Sequence, residues 1–444
     1  MAGLNNSIFD LPASLEELRR PEDVIKISTR KIQPKASSKL GSFPGSDITF
    51  DFTLSGNQWW IPSRSYVAIR DRYLYDEAKG GQIQPKNADN IAPSWNSQDN
   101  LWDGCQLTIG GFSLGSRTIL APQVSAYNRR QTKSKSWIEG VGVSAHTMTI
   151  SQDSRKNAIT SDGVAPSERD NSVERLYQPP LGIFSQNKAL PPARYELILR
   201  PKPDITYKKS VIESTGADKL VVAGVSASPA AANNTAEYLV DDVVFYLAVV
   251  DNFERVPDKM SYVLDLEEVE VIPRQIAGNG NVIENFTVSK STFALGVALQ
   301  DRRAGTDTRF SPSKFITEAG SENSLTSLQI SYGGMARPQP PAVVQKSGLI
   351  DYQTYRYLEN SVENLGYWDT GGVLTKSDWR TLGPIYGFQW RRVGDDISTN
   401  VDVDVKYGAF TNGPHNLLLF HSFRRVIEMV IESGQVTSFL AQDA

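Results

Sequence analysis

A single cysteine, Cys105, stands in 444 residues, so no disulfide can form within the chain. It lies in a strand-like run, where a thiol behaves as a small buried hydrophobe. Histidine is nearly as scarce: His146, His415 and His421 are the three. None has a Cys or a third His nearby at ligand spacing, which argues against zinc and for ordinary core or surface histidines. No uninterrupted apolar run approaches the roughly 18 residues of a membrane-crossing helix. The first residues lack the charged-then-apolar layout of a secretory signal, so the expectation is a soluble protein made in the cytosol. The formal net charge is only −4, which leaves no basic surplus to attract nucleic acid, and strong direct nucleic-acid binding is not expected. No phosphate-cradling G-x-x-x-x-G-K-[ST] loop occurs, and no serine-nucleophile elbow is read. No cofactor and no metal are implied.

What is present is a globular composition, 40% apolar and 22% charged. The length exceeds one ordinary core, so two large domains are expected. Residues 1–46 read as an N-terminal arm. Ser14 and Glu17 have capping-box spacing, Pro21 ends any helix there, and a mildly basic extended segment follows with Lys26, Arg30, Lys31, Lys35 and Lys39. From Ile48 the pattern turns to strands: Ile48, Phe50, Phe52 and Leu54 alternate with polar residues, the period of a half-buried strand. Further strand-like runs occupy 65–75, 105–111, 193–201 and 237–250, separated by long loops rich in Gly, Pro, Asn and Ser. Past Pro257 the pattern begins again. Helical periodicity is confined to 352–365 and, more weakly, 125–138.

The two halves echo one another. CQLTIGG, 105–111, is matched by LQISYGG, 328–334, with Gln106 against Gln329. The stretch 181–199 resembles 386–405, each a Gly-Phe strand, a polar loop and an alternating strand. Then 243–256 resembles 416–429. These pairs keep their order, which argues for a duplicated domain. Many strands per half, long crossing loops and few helices fit a sandwich with Greek-key connections. The expected fold is all-β: two tandem eight-stranded jelly rolls, 47–256 and 257–444, with short helices in loops and the arm in front.

Other chemistry-bearing residues have plain readings. Asp402 and Asp404 spell D-x-D, but residues two apart on a strand share one face, here a solvated one opposite Val401, Val403 and Val405. The acidic run Asp265, Glu267, Glu268, Glu270 is read the same way. Trp59 and Trp60, with Trp95, Trp102 and Tyr66 nearby in sequence, could form a sugar platform, yet large aromatics more often serve packing or interfaces. Asn285-Phe-Thr287 has the form of a glycosylation acceptor and is read as chance.

In ordered features the sequence resembles the double jelly-roll major capsid proteins of the adenovirus-hexon and tectivirus lineage, in particular short polinton-like and adinto-like virus members. The similarity is carried by ITFDFTLSGNQWWIPSRSYVAIR, NSQDNLWDGCQLTIGG, LYQPPLGIFSQNKALPPARYELILRP, LTSLQISYGG, GPIYGFQWRR and NVDVDVKYGAFTNGPHNLLLFHSFRRVIEM. It spans about residues 45–435. The resemblance implies a non-enzymatic virion protein, synthesised in the host cytoplasm. Three copies would form a pseudo-hexagonal capsomer, and capsomers would tile an icosahedral shell around a DNA genome. Partners would be the chain itself, neighbouring capsomers, and penton or minor capsid proteins; an internal membrane and nuclear assembly stay open. Arg30, Lys31, Lys35, Lys39, Trp59 and Trp60 are the expected assembly or interface residues. The alternative is a tandem β-sandwich attachment protein that binds glycans through Trp59 and Trp60.

Overall fold

The computed structural model describes residues 26–35, 46–77, 91–114, 118–132, 173–186, 188–203, 209–214, 221–222, 234–251, 258–276, 280–304, 311–315, 325–332, 335–343, 385–389, 399–407 and 415–443. Among the described residues the first half has thirteen strands. They are β1 (Lys26–Ile32), β2 (Ile48–Thr53), β3 (Trp59–Trp60), β4 (Tyr66–Glu77), β5 (Ile91–Pro93), β6 (Trp102–Ile109), β7 (Phe112–Ser113), β8 (Thr118–Ile119), β9 (Val173–Tyr177), β10 (Arg194–Pro201), β11 (Ile212–Ser214), β12 (Val221–Val222) and β13 (Asn234–Asp251). The second half adds β14 (Lys259–Ile276), β15 (Gly280–Thr287), β16 (Thr292–Asp301), β17 (Leu325–Tyr332), β18 (Met335–Val343), β19 (Tyr386–Gln389), β20 (Asn400–Tyr407), β21 (His415–Glu432) and β22 (Gln435–Asp443). The described helical residues include α1 (Ser97–Asn100) and α2 (Ala121–Thr132), with a further helical turn at 209–211, all in the first half.

Each half is built on two main sheets, antiparallel apart from the short parallel pair β12-β13, and the first half adds a two-stranded sheet, β11-β5. In the first half one sheet runs β1-β13-β4-β9 and the other β2-β10-β6-β7; in the second half they run β14-β21-β16-β19 and β15-β20-β17-β18. Counting the eight principal strands of each half along the chain, both halves have sheets ordered 1-8-3-6 and 2-7-4-5. That shared order is the jelly roll, in which strands distant in sequence become neighbours across Greek-key crossovers. The sequence echoes fall on equivalent strands. Gln106 and Gln329 lie on the fourth strands, β6 and β17; β10 and β20 are the seventh; β13 and β21 are the eighth.

Two expectations need correction. Lys26–Ile32, read as part of the arm, is the first strand of the first roll, paired antiparallel with β13 from Lys26↔Asp251 to Ile32↔Phe245. Charge on both of its faces hid it, because an edge strand over a covered sheet needs few apolar residues. The Gly-Phe stretch of the first half, Gly182–Ser185, is a 3-10 turn, whereas its counterpart Tyr386–Gln389 is a strand. The helix expected at 125–138 starts earlier, at Ala121, and is described as far as Thr132. The expected helix at 352–365, the capping box at 14–17 and His146 lie outside the described residues.

Period-2 burial explains both cores. Along β2 the inward residues Ile48, Phe50 and Phe52 are buried, and along β20 Val401, Val403 and Val405 are fully buried. In the first roll Trp60 sits edge-on to Phe52 (5.2 Å) and to Tyr195 (5.1 Å), favoured because ring edges are positive and faces negative. Phe286, Leu295, Leu328, Ile330, Leu417 and Leu419 belong to the core of the second roll.

Candidate functional site

Two of the residues expected at interfaces are not at the surface. Trp59 and Trp60 are fully buried although adjacent on one strand. Successive strand residues point to opposite faces, so both sides of β3 must be covered. Trp60 fills the first core and donates its indole N–H to Ser65 Oγ at 2.8 Å. Trp59 lies 6.1 Å from Tyr262, a residue of the second roll. Neither can stack on a sugar from solvent or touch another molecule without unfolding, which removes the platform on which the glycan-binding alternative rests.

The basic residues behave differently from one another. Arg30 pairs with Asp251 at 2.9 Å and reaches Gln58 Oε1 at 3.2 Å. Ser28 donates to the same Asp251 carboxylate, as does Gln58 at 3.2 Å. The Ser28 hydroxyl, then Arg30 and Gln58, hold the Asp251 carboxyl below the usual carboxylate range despite partial burial. Lys35 bridges Glu196 at 2.8 Å and Asp51 at 3.2 Å, and Arg194 grips Asp51 through two nitrogens. These contacts fasten β1 and its continuation to their own roll. Lys31 is exposed, and Lys39 lies outside the described residues.

The other candidates fall as follows. Asp402 and Asp404 face outward on β20, and Asn285 donates to Asp402 at 2.7 Å. Asp265 and Glu267 are exposed, but Glu268 departs from the solvated reading: it is buried and pairs with Arg425 at 3.2 Å. His415 and His421 are both buried, and His421 Nε2 approaches Glu270 at 3.5 Å. A G-x-S-x-G spacing does occur, at Gly111-Phe-Ser113-Leu-Gly115. The serine elbow requires a strand-to-helix turn, whereas Ser113 lies on β7, which pairs back on β6 in a hairpin. Among the described residues no group of three metal-ligating side chains converges.

What sequence reasoning missed is a broad seam between the rolls. The ends of β14 and β21 leave the second roll and lay Met260, Tyr262, Leu264, Leu266, Ile427 and Met429 onto the core of the first. Tyr262 donates to Ala189 O at 2.6 Å. Gly182 abuts the Glu267 carbonyl so closely that a Cβ would collide with it. Helix α2 supplies Tyr127, stacked on Phe420 at 5.0 Å with its ring against Gly296 of β16. Asn100 is the polar centre. Its amide donates towards Ser94 Oγ and Trp95 O (3.0 Å each), Ser210 O and Ser311 Oγ (3.1 Å each), and its carbonyl accepts from Ser313 at 2.9 Å. Lys314 pairs with Glu213 at 2.6 Å across the same seam. At the far end Phe112 stacks on Phe439 at 5.1 Å, beside a notch of about 410 Å³ lined by Thr108, Arg194, Glu196 and Gln435. Apolar packing flanking a satisfied polar network couples the halves.

The first roll also buries an ion pair. Asp71 accepts from Arg175, Gln98 and Tyr238, each at 2.8 Å. Burial pushes its carboxyl up, and those three donors pull it back. The donors come from β9, α1 and β13, so the carboxylate ties three elements to β4.

With two rolls of the same strand order welded along a seam, the architecture is decided. The fold is a double jelly roll. No family model matches the sequence, and no curated relative matches it. Solved structures do match over nearly the whole length. A chain of the Sputnik virophage is similar at 12% identity and a TM-score of 0.60, covering 100% of this chain and 93% of that one. The mavirus major capsid protein is similar at 12% identity and TM-score 0.54, covering 100% and 97%. VP54 of PBCV-1 is similar at 10% identity and TM-score 0.52, covering 96% and 99%. Identities this low carry the fold.

Proposed function

We propose that the chain is a viral major capsid protein, a structural subunit and not an enzyme, whose working parts are its outer faces. The observation that supports this most is the repeat of one strand order in two seam-locked rolls. Three such chains in a ring present six similar flanks, so one gene product suits positions with six neighbours, and closed threefold symmetry limits the capsomer's size. Full-length likeness to a virophage chain and to the mavirus major capsid protein supports the same reading. Capsomers would tile an icosahedral shell around a DNA genome in the virion, with neighbouring capsomers and penton or minor capsid proteins as partners. The compact length fits the short polinton-like and adinto-like members. The first roll then runs from Lys26 to Asp251 and the second from Asp258, which confines the arm to residues before Lys26. Exposed Lys31 remains an assembly candidate, with Lys39 proposed beside it. Sedimentation equilibrium tests the proposal: a mass three times 49.0 kDa is expected, and a clean 49.0 kDa monomer at micromolar concentration overturns it.

A further inference from the structure

The two longest strands of the second roll, β14 and β21, divide their side chains between two cores. On one face of β14, Tyr262, Leu264 and Leu266 join the core of the first roll, whereas Ile276 belongs to the core of the second. β21 is split in the same way: Leu417 and Leu419 lie in the second core, and Ile427, Met429 and Ile431 in the first. Between the two sets lie charged side chains, with Glu268 paired to Arg425 at 3.2 Å and His421 Nε2 at 3.5 Å from Glu270. At this joint the strand pair leaves its own sandwich and continues as a ribbon across the other. β22 widens the ribbon by pairing with Arg425–Glu432, and its Phe439 stacks on Phe112 of the first roll at 5.1 Å.

The exchange between the rolls is unequal. Among the described residues every buried member of the second core comes from the second roll itself, from Ile276 to Leu419. The first roll does lend Tyr127 of α2 to Phe420, but Phe420 points away from Leu417 and Leu419, so this contact covers the outer face of the sheet in a separate small cluster. The first core, by contrast, is closed by residues of the other roll. Trp59 is fully buried and has Tyr262 at 6.1 Å, and the Tyr262 hydroxyl donates to the Ala189 carbonyl at 2.6 Å. Without the ribbon both lose that cover, and the apolar face of the ribbon loses its own.

We infer that the ribbon is a strap whose closure completes the first roll, so that the later half of the chain finishes folding before the earlier half. Domains generally fold from the N-terminal end as a chain is made. Here β21 follows β1 to β20 in the sequence. The first roll therefore waits with its Trp59 side open until the second roll has formed from its own residues and carries the strap across. A chain stopped before β21 keeps that apolar surface exposed, which makes it prone to aggregate and unfit as a subunit. No second molecule takes part in this step, so its failure would leave the capsid reading standing.

Pulse-labelled refolding of the full chain from urea, read by hydrogen exchange and mass spectrometry, follows the order of events. Peptides covering β15 and β20 are expected to gain protection first, and those covering β2, β13 and Tyr262–Leu266 later and together. Protection of β2 and β13 before Tyr262–Leu266, or simultaneous protection of both rolls, overturns the proposal. Leu264→Ala in the folded protein gives an independent reading. Leu264 stands on a strand of the second roll, yet its truncation is expected to speed exchange in β2 and β13 by about thirtyfold or more and to leave β15 and β20 unchanged. Faster exchange in β15 and β20, or none in β2 and β13, overturns it.

Discussion

Replacing Asn100 with alanine tests the seam at its polar centre. The side chain is fully buried and offers two N–H groups and one accepting oxygen, all engaged by residues of both rolls. At about 1 kcal/mol net for each hydrogen bond, their removal costs ~3 kcal/mol. Ser94 retains Ser210 O and Ser311 retains Trp95 O, so those hydroxyls keep partners. Ser313 loses its acceptor on Asn100, which places the cost on the link to the second roll. For a unit the size of one roll, a loss of that size lowers the melting temperature by about 6–12 °C. Differential scanning calorimetry of Asn100→Ala beside Asn285→Ala makes the comparison, because Asn285 makes one hydrogen bond on an exposed face and its loss should stay within about 0.5 kcal/mol. Equal, small shifts for the two variants would refute the idea that Asn100 holds the rolls together.

Gly182→Val is expected to disrupt the same seam by steric means, since a branched side chain meets the Glu267 carbonyl; limited proteolysis should cut between the rolls faster than in the parent protein. Trp60→Ala is expected to cost about 3–5 kcal/mol from the first core, read by urea unfolding, whereas a surface platform would tolerate the change. The Asp251 carboxyl lies below its unfolded value, so its contribution to stability is complete above about pH 4 and is lost as pH falls through the lower folded value. Asp251→Asn should therefore flatten the acid limb of a urea-midpoint profile; an unchanged limb would contradict the assignment.

Much of the fold was legible because burial on one face leaves a period of two. Ile48, Phe50 and Phe52 announce β2, and Val401, Val403 and Val405 announce β20. The duplication was legible through Gln106 and Gln329, which occupy the same place in their rolls. β1 was not, because an edge strand whose polar side chains pair with Asp251 and Gln58 has the composition of a solvated arm. Trp59 and Trp60 were recognised as packing or interface residues, but the surface that Trp59 covers belongs to the partner roll. Nothing local encodes that, since the seam exists only once Tyr262, Tyr127 and Asn100 meet residues far away in sequence. The basic residues drew attention by charge alone, and their acidic partners Asp251, Asp51 and Glu196 are distant along the chain.

Electron micrographs of the purified protein test the central claim most directly. Two equivalent rolls per chain in a three-chain ring predict particles with a six-sided outline and a threefold centre. Isolated two-lobed particles, or rings of any other symmetry, would contradict it.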